Sequence, residues 1–177
     1  MINLDKNKLP LNFTEKEYKC LIKYASRDKI LLEYGSGIST IILSDFYKHV
    51  FSIEHHKTWY NELVEEVKKI NNVNLFLVEP NNKNHVLAYN GVDVEEINTE
   101  VGEYLFKDYI NFCDNFLFNN VFIDGRARKY CAIKILKKLN PDSLVFFHDF
   151  ERTYYHEILE FYDKVEFIDK LCVLAKK

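Results

Sequence analysis

The stretch LLEYGSGIST, residues 31–40, places two of the chain's five glycines one residue apart, directly behind an apolar run. Glycine lets the backbone bend tightly and approach a ligand without a Cβ in the way. A G-x-G step has this meaning only where it follows a strand and opens a helix. The neighbouring segments therefore decide what Gly35 and Gly37 are for.

Strand and helix patterns alternate on both sides of this stretch. Short apolar runs typical of strands buried on both faces are KILLEY (29–34), HVFSIE (49–54), VNLFLVE (73–79), NVFIDG (120–125) and SLVFFHD (143–149). Helical stretches between them are GISTIILSDFYK (37–48), TWYNELVEEVKKI (58–70), VGEYLFKDYINFCDNF (101–116) and ARKYCAIKILKKL (127–139). This order predicts an α/β fold, a doubly wound and mostly parallel sheet with helices on both faces.

The two ends of the chain depart from this alternation. At the C-terminus a short helix, HEILEFYDK (156–164), precedes VEFID (165–169) and LCVLAK (171–176), and two strands so close in sequence pair antiparallel. At the N-terminus Thr14 and Glu17 form a capping-box pattern that opens a helix. We expect one domain over residues 1–177, with an N-terminal helical segment (1–27) and a Rossmann-like core (28–177).

Composition narrows the class of protein. The chain has 177 residues, a formal charge of -3, and four widely spaced cysteines without a metal-finger pattern. The charge gives no general attraction to nucleic acid or anionic membranes, and the N-terminal sequence lacks the apolar core of a signal peptide. We expect a cytoplasmic protein with reduced, buried thiols, no membrane association and no nucleic-acid partner. The polar segment Glu79–Glu100 is predicted to be a loop.

An acidic residue at the end of the second strand points to a nucleoside ligand. Glu54 follows Gly35 by nineteen residues, where a carboxylate accepts hydrogen bonds from both ribose hydroxyls. NAD is disfavoured because Thr40 stands where its fingerprint requires a third small residue. Glu33 would also repel a pyrophosphate, whereas it suits a ligand that carries an ammonium and a sulfonium group. A nucleotide-dependent oxidoreductase and a non-catalytic nucleoside-binding module remain alternatives.

These motifs resemble a known family. EYGSGIST, the acid in SIEH and the closing hairpin are similar to class I S-adenosylmethionine-dependent methyltransferases over about residues 28–177. VFIDGRARKYCA and VFFHDFERTYYHEILEFY further resemble the glucuronoxylan O-methyltransferases and related sugar-methylating proteins. The resemblance implies O-methylation of a carbohydrate or glycan hydroxyl. It implies that the cofactor is held by Glu33, Gly35, Ser36, Gly37, Ser39, Thr40, Glu54, His55 and Asp124.

The tips of the fourth and fifth strands supply candidate catalytic residues. Asp124 ends one run, and His148 with Asp149 ends the other, so they meet in one crevice if these strands are neighbours. His148 is our candidate general base, with Asp124 or Asp149 orienting it. Alternatively, all three residues hold a divalent metal that activates the acceptor, as in metal-dependent small-molecule O-methyltransferases.

Arginines follow both strand tips. Arg126 and Arg152 are predicted to bind an acidic or phosphorylated acceptor at the rim of the crevice. Arg128 is expected to lie in a solvated helix start.

Overall fold

A computed structural model describes residues 13–89 and 93–177. Its strands are β1 (Ile30–Tyr34), β2 (His49–Glu54), β3 (Val73–Leu77), β4 (Asn120–Ile123), β5 (Leu144–Phe147), β6 (Tyr162–Ile168) and β7 (Leu171–Lys176). Its α-helices are α1 (Glu15–Lys23), α2 (Ile38–Leu43), α3 (Lys57–Val67), α4 (Glu100–Leu105), α5 (Lys107–Asn111) and α6 (Arg128–Ile135). Shorter 3₁₀ segments are Glu95–Asn98, Phe112–Asn115, Leu136–Lys138 and Thr153–Glu160.

The seven strands form one sheet in the order β3-β2-β1-β4-β5-β7-β6. The first five strands of this order are parallel, and β7 pairs antiparallel with both β5 and β6. This arrangement confirms the predicted fold class, including the C-terminal hairpin.

The register of the parallel strands brings their carboxyl ends to one edge. Tyr34 of β1 lies opposite Ile53 of β2 and Ile123 of β4, and Ile123 lies opposite Phe147 of β5. The residues that come next along each strand, which include the predicted site residues, therefore project from the same edge. We call the space at this edge the crevice.

Helices cover both faces of the sheet, because side chains of adjacent strand residues point to opposite sides. Leu32 and Ile123 pack with α4, α5 and α6, whereas Leu31 and Phe122 pack with α1, α2 and α3. Both apolar layers are built from the runs that the sequence pattern identified.

Three helix predictions needed correction. The helix predicted over residues 101–116 is divided into α4, α5 and a 3₁₀ segment, and the break buries Phe106 completely in the core. The helix predicted over 156–164 is a 3₁₀ segment that ends at Glu160, and pairing with β7 draws Tyr162 into β6. Helix α2 stops at Leu43, and the Ser44 hydroxyl donates to the Ile41 carbonyl, which satisfies a terminal acceptor.

The N-terminal capping box is confirmed. The Thr14 side chain accepts from the Glu17 amide at 3.2 Å, and the Glu17 carboxylate accepts from the Thr14 amide at 2.7 Å. Residues 1–12 of the predicted N-terminal segment, and residues 90–92 of the predicted polar loop, lie outside the described part of the chain. All four cysteines are free and buried. No helix within residues 13–89 or 93–177 is long and apolar enough to cross a bilayer.

Candidate active site

The turn after β1 depends on two glycines from different strands. Gly35 has a left-handed backbone with φ 91°, and a Cβ placed there would lie 2.5 Å from the Gly125 amide nitrogen. A Cβ on Gly125 would in turn run into the Tyr109 hydroxyl. The backbone at the tip of β1 therefore touches the backbone at the tip of β4, which no larger residue would permit.

Gly37 is a different case. Its backbone is extended, and a Cβ would meet only Ser39 Oγ at 3.9 Å and the Trp59 ring at 4.0 Å. No described neighbour therefore requires glycine at this position. The missing side chain leaves open space beside the turn, as expected where a ligand approaches the backbone.

Glu54 is fixed next to this turn. Its carboxylate accepts from the Ser36 amide at 3.0 Å and from the His56 amide at 2.7 Å, and His55 Nδ1 lies 3.0 Å from Oε1. Burial alone would raise the pKa of Glu54, but His55 and the two peptide donors outweigh burial and lower it. Glu54 is therefore a preorganised carboxylate at the end of β2.

Glu33 lies beneath the turn rather than in the crevice. It is fully buried, and its carboxylate accepts from the hydroxyls of Ser39 at 2.6 Å, Thr40 at 2.5 Å and Ser52 at 2.6 Å. Burial raises its pKa to about 7, with the three hydroxyls opposing that rise. The Gly37 amide donates to Thr40 Oγ1 at 3.0 Å, so Glu33 supports the turn through Thr40.

The buried position of Glu33 affects two of the predictions made from the sequence. A direct contact between Glu33 and a ligand stays a prediction that the buried carboxylate does not favour. The electrostatic argument against a pyrophosphate is also weakened, because this carboxyl group is screened by hydroxyls and its pKa is near neutral.

Two buried polar groups border the same region. His55 Nε2 and the Tyr109 hydroxyl have no hydrogen-bond partner within the described part of the chain, and the two rings lie 5.9 Å apart. Buried polar atoms without partners are rare and call for an explanation such as a ligand. Their position beside Gly125 and Glu54 fits a polar ligand in the crevice.

The predicted catalytic residues do come together. His148 Nδ1 lies 3.0 Å from Asp124 Oδ1 and 3.5 Å from Asp149 Oδ1. Strand β5 has already ended at Phe147, and Asp149 adopts a left-handed backbone with φ 58°. This turn explains how the neighbouring His148 and Asp149 present their side chains to one place.

His148 is the most buried member of this cluster. Its ring stacks on Phe13 with centroids 4.4 Å apart, and Nε2 lies 3.7 Å from Glu17 Oε1. Only 3% of its side chain is exposed, compared with 24% for Asp124. Burial opposes protonation, but Asp124 and Asp149 outweigh burial and raise the pKa of His148. The base role of His148 stays a prediction, and Asp124 is the more accessible of the two groups.

Arg128 joins the cluster from α6. Its Nη1 lies 3.1 Å from Asp124 Oδ1 and 3.2 Å from Asp149 Oδ2, and it donates to the His148 carbonyl at 2.8 Å. The expectation of a solvated helix start was wrong, because Arg128 is buried. Burial alone would lower the pKa of Arg128 and raise that of Asp124. The attraction between the two opposite charges outweighs burial, so the pKa of Arg128 is raised and that of Asp124 is lowered.

Arg152 and Arg126 lie at the same edge. Arg152 Nη2 contacts Asp149 Oδ2 at 2.9 Å, and its Nη1 donates to the Asp93 carbonyl at 2.8 Å. Arg126 is 9% exposed, and burial lowers its pKa although the carboxylates of Asp93 and Glu54 counteract that effect. Acceptor binding by these two arginines stays a prediction.

Asp93 is a site residue that sequence reasoning missed. It is 1% exposed and accepts from the Tyr155 hydroxyl at 2.7 Å and the Ala127 amide at 3.1 Å. These contacts attach the segment after β3 to the start of α6. In sequence Asp93 is one of several acids in a polar stretch, and no motif separates it from Glu95 and Glu96.

Comparison with known proteins identifies the fold. No family model and no curated protein matches the chain. Among solved structures, a methyltransferase-like protein from Silicibacter pomeroyi matches with a TM-score of 0.70 and 19% identity, covering 95% of this chain and 89% of that one. An rRNA methylase from Streptococcus thermophilus matches with 0.57 and 13%, covering 96% and 97%. A Streptococcus mutans protein in complex with SAH matches with 0.55 and 13%, covering 93% and 100%. The chain therefore has the Rossmann-like fold of methyltransferases.

Proposed function

We propose that this chain is an S-adenosylmethionine-dependent methyltransferase that methylates a hydroxyl group, with a carbohydrate as acceptor. The observation that supports the proposal most strongly is the preorganised turn at the end of β1. There, Glu54 is fixed by the Ser36 amide beside the open space at Gly37. The fold shared with methyltransferases supports the same reading.

The cofactor would be held by backbone and carboxylate together. Glu54 accepts two peptide hydrogen bonds and has His55 Nδ1 3.0 Å from Oε1, so about one of the four acceptor sites of a carboxylate remains, on Oε2, for a ribose hydroxyl. Gly37 admits the ligand to the backbone, and His55 Nε2 and the Tyr109 hydroxyl are polar groups that it would satisfy. When bound, the cofactor supplies an electrophilic methyl group.

Asp124 is the proposed general base. It is the most accessible member of the cluster, with 24% of its side chain exposed, and its lowered pKa keeps it ionised at neutral pH. Asp124 would take the proton of the acceptor hydroxyl as its oxygen bonds the methyl group and the sulfur–methyl bond breaks, with S-adenosylhomocysteine as the leaving group; His148 would orient the carboxylate through the 3.0 Å contact. The carbohydrate assignment draws on the sequence resemblance.

The chain's single tryptophan offers a direct test of cofactor binding. Trp59 Nε1 donates to the Ser36 carbonyl at 2.6 Å, so its fluorescence reports on the turn. We expect S-adenosylhomocysteine, titrated into the protein, to change this signal with micromolar affinity, in the ordinary range for enzyme ligands. Glu54→Gln and Gly37→Ala should each weaken that binding by about tenfold or more.

Glu62→Gln is the matched control, because it removes an exposed carboxylate from the helix that follows Glu54. It should bind like the wild type. A response to NAD with none to S-adenosylhomocysteine would instead support the oxidoreductase alternative. Asp124→Asn should lower methylation of an oligosaccharide panel, followed by mass spectrometry, by about a hundredfold, well beyond any loss of cofactor binding. Binding without methylation of any acceptor would favour a non-catalytic module.

A further inference from the structure

We infer that the Arg128 guanidinium occupies the position that a divalent metal would take among Asp124, His148 and Asp149. Arg128 would thus act as a positioning residue for Asp124 in a metal-independent site. The inference about Asp124 rests on the proposed function, whereas the occupancy of the cluster by Arg128 does not. It answers the question that the sequence left open between a base and a metal centre.

The three residues have the composition of a metal site. One potential ligand atom from each of Asp124, His148 and Asp149 lies within 4.8 Å of the others. A cation ligated by these atoms would sit within about 2.0–2.6 Å of the carboxylate oxygens. Arg128 Nη1 already contacts Asp124 Oδ1 and Asp149 Oδ2, the same two carboxylates that a metal would use. Two cations sharing these oxygens would repel each other.

Arg128 is built into the fold and does not simply cover the cluster. Its Nε donates to the Gly125 carbonyl at 3.0 Å, and its Nη1 donates to the His148 carbonyl at 2.8 Å. Only 6% of its side chain is exposed. Asp93 Oδ2 lies 4.0 Å from Nε and adds a further negative charge on that side. Displacing the guanidinium would leave these buried acceptors and carboxylates without compensation.

The consequence for the reaction is a fixed, ionised Asp124. A guanidinium binds a carboxylate in a defined orientation and stays protonated. Because it is part of the chain, it cannot dissociate into solvent as a metal ion can. The charged or titratable groups that act on Asp124 come from several elements. They are Arg128 on α6, Arg126 after β4, His148 and Asp149 after β5, and Glu33 on β1.

Metal titration tests the occupancy without any need for turnover. Protein treated with a chelator is titrated with Mg²⁺, Mn²⁺ and Zn²⁺ in a calorimeter. We expect the wild type to show no stoichiometric site, and Arg128→Ala to acquire Mn²⁺ or Zn²⁺ binding that raises its melting temperature. The double variant Arg128→Ala with Asp149→Asn should lose that binding. One equivalent of metal bound by the wild type and lost in Asp149→Asn would overturn the inference.

The positioning role is tested by turnover. Chelator should leave wild-type methylation unchanged. The acid limb of the pH–rate profile should move up by about one pH unit in Arg128→Ala, because Asp124 loses its nearest cation. Arg128→Lys, which returns a cation, should move the acid limb part of the way back to its wild-type position. A purely structural role of Arg128 would not produce this partial return. If Arg128→Ala does not fold, Arg128→Lys and Asp149→Asn carry the test. Turnover abolished by chelator and restored by a divalent ion would refute the inference even if methyl transfer itself is confirmed.

Discussion

Glu33, near the end of β1, supports the turn at the proposed ligand site from its buried position beneath that turn. Its carboxyl group is buried under the glycine turn and is surrounded by hydroxyls of Ser39, Thr40 and Ser52. Burial raises its pKa from an ordinary value of 4.5 to about 7, and the charge of Asp124 acts in the same direction. The folded state therefore binds a proton that the unfolded state has already lost at intermediate pH.

The stability of the protein should reflect this proton. Between about pH 4.5 and 7 the folded state holds one more proton at Glu33, so stability falls as pH rises through this window, by about 3 kcal/mol in total. Glu33→Gln removes this dependence. The free energy of unfolding of the variant, relative to the wild type, should therefore increase by about that amount from pH 4.5 to pH 8.

Urea unfolding at the two pH values measures the difference directly. Glu62→Gln, which changes an exposed acid, should show no comparable trend. An equal difference between Glu33→Gln and wild type at both pH values would contradict the assigned protonation.

Elements were more predictable from sequence than contacts between them. The strands and the hairpin follow from apolar runs and from their spacing, since only a single residue separates VEFID from LCVLAK. The meeting of Asp124 with His148 also follows, because β4 and β5 are neighbours. Arg128 was misjudged because a helix start is usually solvated, and only tertiary packing shows that it neutralises two carboxylates. The sequence around Asp93 contains no motif that marks it as a site residue.

Helix α1 illustrates a contact that joins distant elements. Besides capping its own helix, the Glu17 carboxylate accepts from the Lys170 amide in the β6–β7 turn at 2.8 Å. The Thr14 hydroxyl donates to Asp169 in the same turn at 2.7 Å. One carboxylate thus links the N-terminal helix, the hairpin and the surroundings of His148.

Removing this link should be costly. Glu17→Ala leaves the Lys170 amide and the Thr14 amide without their acceptor, and we expect a loss of about 2–4 kcal/mol in the free energy of unfolding. Urea denaturation measures the loss, and hydrogen exchange at Lys170 should quicken. Glu15→Ala is the control, because Glu15 lies exposed on the same helix and pairs only with Lys19 in the described structure. Equal stability of the two variants would show that the link to the hairpin is weak.

At the scale of the whole molecule, the distribution of charge helps to decide which class of acceptor the protein binds. RNA, a polyanion, is the alternative to a carbohydrate that a charge argument tests most directly. The net charge of this chain is -3, and many described lysines pair with acids. Examples of such surface pairs are Lys19 with Glu15, Lys68 with Glu65, Lys69 with Glu66 and Lys83 with Glu79. Arg128 and Arg152 are committed to carboxylates at the crevice.

The net negative charge therefore gives a polyanion no general attraction to this protein. RNA affinity depends on neutralising phosphates with lysine and arginine, and it falls steeply with salt. We expect a fluorescent single-stranded RNA of about 20 nucleotides to show no saturable anisotropy change at protein concentrations up to about 10 μM, weaker than most specific nucleic-acid binding. A neutral oligosaccharide that is methylated should bind with an affinity that does not change between 50 and 150 mM salt, apart from general screening. Micromolar RNA binding with a slope of several in log affinity against log salt would reverse this expectation and make RNA the preferred acceptor.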